Sequence, residues 1–241
     1  MDPEYGSRYS ELYRSHWWWR AREVLITRTI RRIVPATGWQ RILDVGCGDG
    51  LFLPQLSQFA ETVEGLEVEE SLVSRDSMRR YTIHVGELDE RFRPSAPYDL
   101  ISMMDVLEHI PDSRTALDSC REMLTPNGVL LLTVPALQCL WTSHDDVNQH
   151  QLRYTLGGLR SLVEEAGFAV AESRYFFHWL VGPKWVVGKA ERVMGNRLHQ
   201  AETPPRILNG FLYGFSRFEQ VALSPFRWLP GSSALLVARR A

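Results

Sequence analysis

Five short apolar runs, most of them followed by a helical pattern, set the tightest limit on how this chain folds. RILDVG (41–46), TVEGLE (62–67), YTIHVG (81–86) and YDLISMM (98–104) read as strands. GVLLLTVP (128–135) is as rich in Val and Leu as a strand covered on both faces should be. Helical segments fall at about 50–59, 69–79 and 112–124, the last stopped by Pro126 and Gly128. Such alternation calls for a parallel sheet with helices on both faces. After residue 135 the rhythm changes. A polar loop (136–152) leads to a helix at about 155–166 with Thr155 as its cap, then to two more strands, FAVAESRYFF (168–177) and SALLVARR (233–240). An insertion of more than 50 residues separates those two strands. The expected fold is therefore α/β, a seven-stranded sheet with a helical cap at about 178–230 and an N-terminal segment, 1–38, ahead of it.

With 241 residues, 44% of them hydrophobic, the chain can bury one substantial core. Cys47, Cys120 and Cys139 have no metal-like spacing and no signal peptide is evident, so the expected compartment is a reducing cytoplasm. No uncharged apolar stretch approaches the ~18 residues of a membrane span. The net charge of −2 is unevenly placed: +3 over residues 1–32, −11 over 33–170 and +6 over 171–241. An acidic body argues against a domain that reads nucleic acid. Basic, aromatic ends suit an anionic surface or ligand, or else are ordinary solvated helix faces.

ILDVGCGDG (42–50) sets Gly46, Gly48 and Gly50 at alternate positions after the first strand, with Asp44 two residues ahead. Glycines there let a ligand approach the backbone closely, and the dinucleotide fingerprint G-x-G-x-x-G has a different spacing. Asp44 would repel a pyrophosphate and suit an ammonium group. The second strand ends in Glu67, placed to accept from ribose hydroxyls. Glu87 and the Leu88 amide end the third strand, where an adenine amine and ring nitrogen could be met, and Met104 and Asp105 end the fourth.

At LDVGCGDG, VEGLEVEE, VGEL, YDLISMMDVLEHIPD and LTPNGVLLLTVP the chain resembles the class I S-adenosylmethionine-dependent methyltransferases, over about residues 40–170. The resemblance implies a Rossmann-like methyltransferase sheet and S-adenosyl-L-methionine as cofactor. It implies that Gly46 and Gly48 cradle the methionine part, with Cys47 in a small-residue slot. Asp44 would order the loop or the amino group; Glu67 and Val68 would meet the ribose, Glu87 and Leu88 the adenine, and Met104 and Asp105 the crevice.

LWTSHDDVNQHQLRYT (140–155) follows the fifth strand and resembles a bacterial subset with HD…GH..RY at this place. His144, Asp145, His150, Arg153 and Tyr154 match, while Gln149 replaces the glycine before the second histidine. His150, His144, Asp145 and His109 are the candidate catalytic groups; Arg153, Tyr154, Trp18 and Trp141 are candidates for holding the acceptor. A His–Asp pair can deprotonate a hydroxyl or bind a divalent metal; no metal is assigned. The same subset carries a segment like HWWWRAR (16–22) that acts as a helical lid, with the arginine at Arg20 reaching the cofactor carboxylate.

The insertion holds two amphipathic patterns, 176–195 and 207–226, rich in Trp, Phe and basic residues. They suit a roof over a substrate pocket, a homodimer contact, or peripheral contact with the inner face of a membrane. Methyltransferases with such segments accompany glycan and lipid-linked pathways. The leading expectation is methyl transfer, at oxygen, to a small-molecule or lipid-linked acceptor. MDVLEH lacks the [DN]PP[YF] tetrad of amino-methylating nucleic-acid enzymes. A non-catalytic cofactor-binding or regulatory module at a membrane surface is the alternative.

Overall fold

The computed structural model describes residues 10–89, 91–195 and 202–241, so the expected N-terminal segment is described from residue 10 onward. Its strands are β1 (Trp39–Val45), β2 (Ala60–Glu67), β3 (Thr82–Val85), β4 (Tyr98–Met104), β5 (Leu124–Pro135), β6 (Phe168–Phe176) and β7 (Ser233–Arg240). They form one sheet in the order β3-β2-β1-β4-β5-β7-β6. β3, β2, β1, β4 and β5 run parallel, and β7 inserts antiparallel between β5 and β6. The strand order reverses beside β1, so the carboxyl ends of β1 and β4 diverge and open a crevice there.

Each face of the sheet carries its own core. On one, Leu43, Ile101, Leu130 and Leu236 meet helices α4 (Ser113–Met123) and α6 (Leu156–Glu165). On the other, Ile42, Leu100, Leu131 and Leu235 meet the long helix α1 (Trp17–Ile33) and the single turn α2 (Leu53–Leu56). Helix α1 is capped by His16, whose Nδ1 accepts the Trp18 amide at 3.1 Å. It buries Ala21, Leu25, Ile26 and Ile30 against the sheet. It is thus a layer of the fold, and only its first turn projects over the crevice.

Three expected elements differ. The segment 50–59 contains only α2, because the glycine loop and the turns after it use up the residues before β2. The segment 69–79 splits into a short turn at Glu70–Leu72 and α3 (Arg75–Arg80). Ser74 restarts the helix: its amide donates to Asp49 at 2.8 Å and its hydroxyl caps Ser77. The Pro–Asn–Gly stretch lies inside β5, looped out between the ladder pairs Tyr98–Leu124 and Leu100–Val129.

The segment between β6 and β7 holds α7 (Val181–Met194) and α8 (Arg206–Ala222), with α5 (Ser143–Val147) in the loop after β5. Helix α8 is fixed to the body through polar groups. Asn209 accepts the Trp17 amide at 2.8 Å and donates to the Ser15 carbonyl. Ser216 accepts from Trp179 Nε1, and the buried Glu219 accepts the amides of His178 and Trp179 at 3.0 and 2.9 Å. Replacing Glu219 by Ala leaves both amides without their charged acceptor, so Glu219→Ala is expected to lower stability by about 2–3 kcal/mol in urea denaturation.

Candidate active site

The glycine loop is held from within. The amides of Gly46 and Cys47 donate to the Leu66 carbonyl, and that of Gly48 donates to Glu67 Oε2 at 2.8 Å. The other Glu67 oxygen takes the Glu69 amide at 3.0 Å. Gly48 therefore spends its N–H inside the fold and cannot offer it to a ligand. Each Glu67 oxygen keeps a lone pair for a hydroxyl donor. Gly46 is required twice over: its φ is +67°, and a β-carbon there would collide with the Val106 side chain. Cys47 is a packed side chain, with burial pushing its thiol pKa up.

Asp44 is buried at the end of β1 and accepts the Ser102 hydroxyl at 2.6 Å. Burial raises its pKa to about 7, partly opposed by that hydrogen bond and by Arg22. With Gly46, Cys47, Phe52, Arg22 and Met104 it lines a small cleft of about 40 Å³ beneath α1. These residues fit the amino-acid end of S-adenosylmethionine: glycine backbone where a β-carbon would intrude, and a buried carboxyl that an ammonium would ionise. Val68 and Glu87 are exposed and Glu87 lies within 3.6 Å of Arg91; Leu88 packs half-buried on the core. None of these three lines this cleft or the larger cavity next to it.

A second cavity, about 390 Å³, opens next to the first and shares Trp19, Arg22 and Met104 with it. Trp17, Trp18 and Trp19 all line it. Arg22 forms the partition: its Nε lies 3.0 Å from Asp105, its Nη2 donates to the Met104 carbonyl at 3.1 Å, and its plane lies 5.2 Å from the Trp18 ring. Arg20 is exposed and lies over Tyr213 at 4.5 Å, away from both cavities. Two residues on a helix are about 200° apart, so only one of the two arginines can face the crevice. Arg22 shares its buried stripe with Leu25, Ile26 and Thr29, and that spacing was the available signal.

The far wall comes from the loop after β5. Leu137 N–H donates to the Tyr154 carbonyl and Tyr154 N–H to Pro135, closing the loop on the strand end. Gln151 N–H reaches the Glu108 carbonyl at 2.8 Å and ties the loop to the turn after β4. Gln149 adopts φ +58°, the left-handed turn that explains why a glycine suits this place. Asp145, fully buried, accepts from His150 Nδ1 at 2.8 Å, from Arg153 Nε at 2.8 Å and from the Thr142 amide at 2.9 Å. Burial pushes its carboxyl up, but the His150 bond and the Arg153 charge outweigh it and hold the pKa well below the usual carboxylate range.

An ionised Asp145 requires the Nδ1 of His150 to carry the proton, which leaves Nε2 as the ring's acceptor. Nε2 lies 3.9 Å from Glu108 Oε1, and the His109 ring stands 4.8 Å from the His150 ring. Burial lowers His109 to a pKa of about 4, and burial and Lys184 lower His144 to about 4 as well. His144 Nε2 sits 3.2 Å from Asn148 Nδ2. His150 thus combines a carboxylate partner with a place on the cavity wall. Tyr154 and Trp141 lie outside the cavity: the Tyr154 hydroxyl lies 3.0 Å from Ser113 Oγ, and Trp141 donates to Asp146 at 2.9 Å.

Two cavity residues were invisible to spacing arguments. Glu108 is fully buried with neither carboxylate oxygen hydrogen-bonded, and burial and the Asp105 charge push its pKa well above the usual range. With His109 and His150 it offers three ligand atoms within 4.8 Å of one another, a trio able to share a proton or take a cation. Lys184, from α7, brings a cation into the same space; burial and Arg153 lower its pKa to about 8.

Similarity to known proteins identifies the family and the fold. A family model described as a methyltransferase domain matches residues 18–173. A probable S-adenosylmethionine-dependent methyltransferase of Mycolicibacterium smegmatis is 29% identical over 69% of this chain and 65% of its own length. A ubiquinone biosynthesis O-methyltransferase of Bradyrhizobium diazoefficiens is 32% identical over 46% of each chain. The match therefore spans about half to two thirds of the length of these relatives. Among solved structures, an S-adenosylmethionine-dependent methyltransferase from Mesorhizobium loti superposes with a TM-score of 0.59 at 16% identity, covering 88% of this chain and 96% of that one. A phosphoethanolamine N-methyltransferase of Haemonchus contortus, solved with S-adenosylhomocysteine, gives 0.66 at 16% identity over 100% of this chain and 58% of its own. The chain belongs to the class I S-adenosylmethionine-dependent methyltransferases.

Asp44 gives a test with two readouts. In the free protein its raised pKa means that stability is fullest below the unfolded value near 3.8 and is lost as pH rises through about 7. Asp44→Asn is therefore expected to melt above the parent at pH 8, with the gap closing towards pH 5. The same variant should lose S-adenosylmethionine affinity in calorimetry, because an amide cannot pair with the ammonium.

Proposed function

We propose that the chain transfers a methyl group from S-adenosylmethionine to a hydroxyl oxygen of a small or lipid-linked acceptor held in the larger cavity, with His150 as base. The observation that carries this is the Asp145–His150 pair: an ionised, fully buried carboxylate fixes the tautomer that leaves Nε2 basic at the cavity wall. The cofactor supplies an electrophilic methyl group with a good leaving group, so alignment and exclusion of water are the main demands on the protein.

The residues meet those demands in different ways. Trp17, Trp18 and Leu180 give the acceptor apolar walls. Arg22 separates the acceptor space from the cofactor cleft without closing it off, since Trp19 and Met104 border both. Lys184 and Arg153 add positive charge where an acceptor oxygen loses its proton, which favours an acidic, phenol-type hydroxyl. The ubiquinone-pathway O-methyltransferases among the relatives support oxygen as the atom methylated.

The test is a set of phenols and catechols with labelled S-adenosylmethionine. His150→Ala is expected to keep cofactor affinity while turnover falls about 10²–10⁴-fold, the usual size of a general-base contribution. Unchanged turnover would remove His150 from the catalytic set. Activity that survives exhaustive chelation is expected; activity lost on chelation and restored by a divalent cation would instead give Glu108, His109 and His150 a metal-holding role.

A further inference from the structure

Helix α8 turns its larger apolar face away from the body. Its inward side is anchored by polar groups: Asn209, Ser216, Glu219 and Gln220 are buried and hydrogen-bonded to the body, and Leu212 and Tyr213 pack half-buried on the core beside them. Its outward side is apolar: Ile207, Leu208, Phe211, Phe215, Phe218 and Val221 are 42–90% exposed. These follow one another at helical spacing, and the Phe211 and Phe215 rings stack at 6.1 Å. Among the described residues, twelve of the fifteen exposed large apolar side chains lie between Trp185 and Trp228, so the apolar surface is concentrated on this one part of the fold. Scattered single exposed apolar residues need no partner; a helix-long stripe does.

Charge decides which partner. Helix α8 packs beside α1, and the two helices border the stripe with Arg20, Arg28, Arg206 and Arg217. The Arg28 charge reaches Arg217 closely enough to help lower its pKa. The acid on α8 itself, Glu219, is turned inward and occupied by backbone amides, so it does not neutralise this border. Residues 171–241 carry +6 against −11 for residues 33–170. A second copy of the same face would bring one basic border up to another, whereas an anionic lipid surface meets both the charge and the apolar stripe. Among the described residues no helix is long and apolar enough to cross a membrane, which leaves a helix lying in the interface plane.

We propose that the outward face of α8 docks on an anionic lipid bilayer, with its phenylalanines in the acyl boundary and the arginines of α1 and α8 at the headgroups. Docked so, the chain rests on the lipid through a helix of 17 residues, about 25 Å long. Its opposite side stays joined to Trp17 and Trp179, the first of which lines the acceptor cavity. The inference stands apart from the methyl-transfer reading, because its readout does not involve turnover.

The experiment is flotation of the full chain with vesicles of phosphatidylcholine alone and of phosphatidylcholine with phosphatidylglycerol. The chain is expected to float with the anionic vesicles, less so as salt rises, and to remain below with the neutral ones. Phe211→Ser with Phe218→Ser should lower the partition coefficient about a hundredfold at an unchanged melting temperature, since both side chains already face solvent. Arg28→Gln with Arg217→Gln should lower it more at low salt than at high salt. Failure of the parent chain to float with anionic vesicles would overturn the proposal. So would a dimer in sedimentation equilibrium that the phenylalanine variant dissociates, which would assign the stripe to a second copy.

Discussion

One buried guanidinium organises the crevice. Arg22 leaves α1, pairs with Asp105 and donates to the Met104 carbonyl, and so fastens the N-terminal helix to the carboxyl end of β4. A charge buried this deeply is costly unless it is fully partnered, and removing either partner of such a pair typically costs about 3–5 kcal/mol. It sets what stands directly over the crevice. The first turn of α1 is carried over the crevice with its three tryptophans, and the space beneath divides into a narrow cleft next to Asp44 and a roomier cavity next to His150.

The two spaces differ in electrostatics, as the proposed roles require. The cleft is acidic and glycine-lined, with Asp44 near neutrality in the free protein and Glu67 holding the loop by its amides. It is complementary to a cationic, hydroxylated ligand. The cavity holds Arg153 and Lys184 with an ionised Asp145 that is already shared among three donors. Of its other two carboxyls, Asp105 is paired with Arg22, and Glu108 is held towards its neutral form by burial and by Asp105. That balance favours a reacting group that gains negative charge, and keeps the proton-accepting nitrogen of His150 available.

Much of this was legible in the sequence, and the parts that were not share a physical cause. Strand positions could be read because apolar runs bounded by turn residues report burial directly; β7 matches its expected span to the residue. Asp44, Glu67 and Met104 could be placed because strand ends in such a sheet point at one crevice. The sequence sets His144, Asp145 and His150 in one loop, but only the fold shows that Asp145 pairs with His150. What spacing cannot show is which face of a helix a charged residue occupies when its neighbours are all aromatic or basic: Arg20 is the residue expected at the crevice, yet it lies over Tyr213 while Arg22 lines both cavities. Nor can it show contacts between distant segments: Lys184 reaches the cavity from α7, and Glu108 becomes unusual only once the loop after β5 buries it. The outward turn of the larger apolar face of α8 was hidden for the same reason, because an amphipathic pattern does not state which side faces the protein.

The central claim is that the cleft at the end of β1 is a working cofactor site whose shape depends on Glu67. Calorimetric titration with S-adenosylhomocysteine, on the parent chain and on Glu67→Ala, tests it most directly. The account predicts saturable one-to-one binding by the parent and its loss in the variant, with both proteins showing cooperative melting. A folded parent that binds no S-adenosylhomocysteine, or a variant that binds as the parent does, would contradict it.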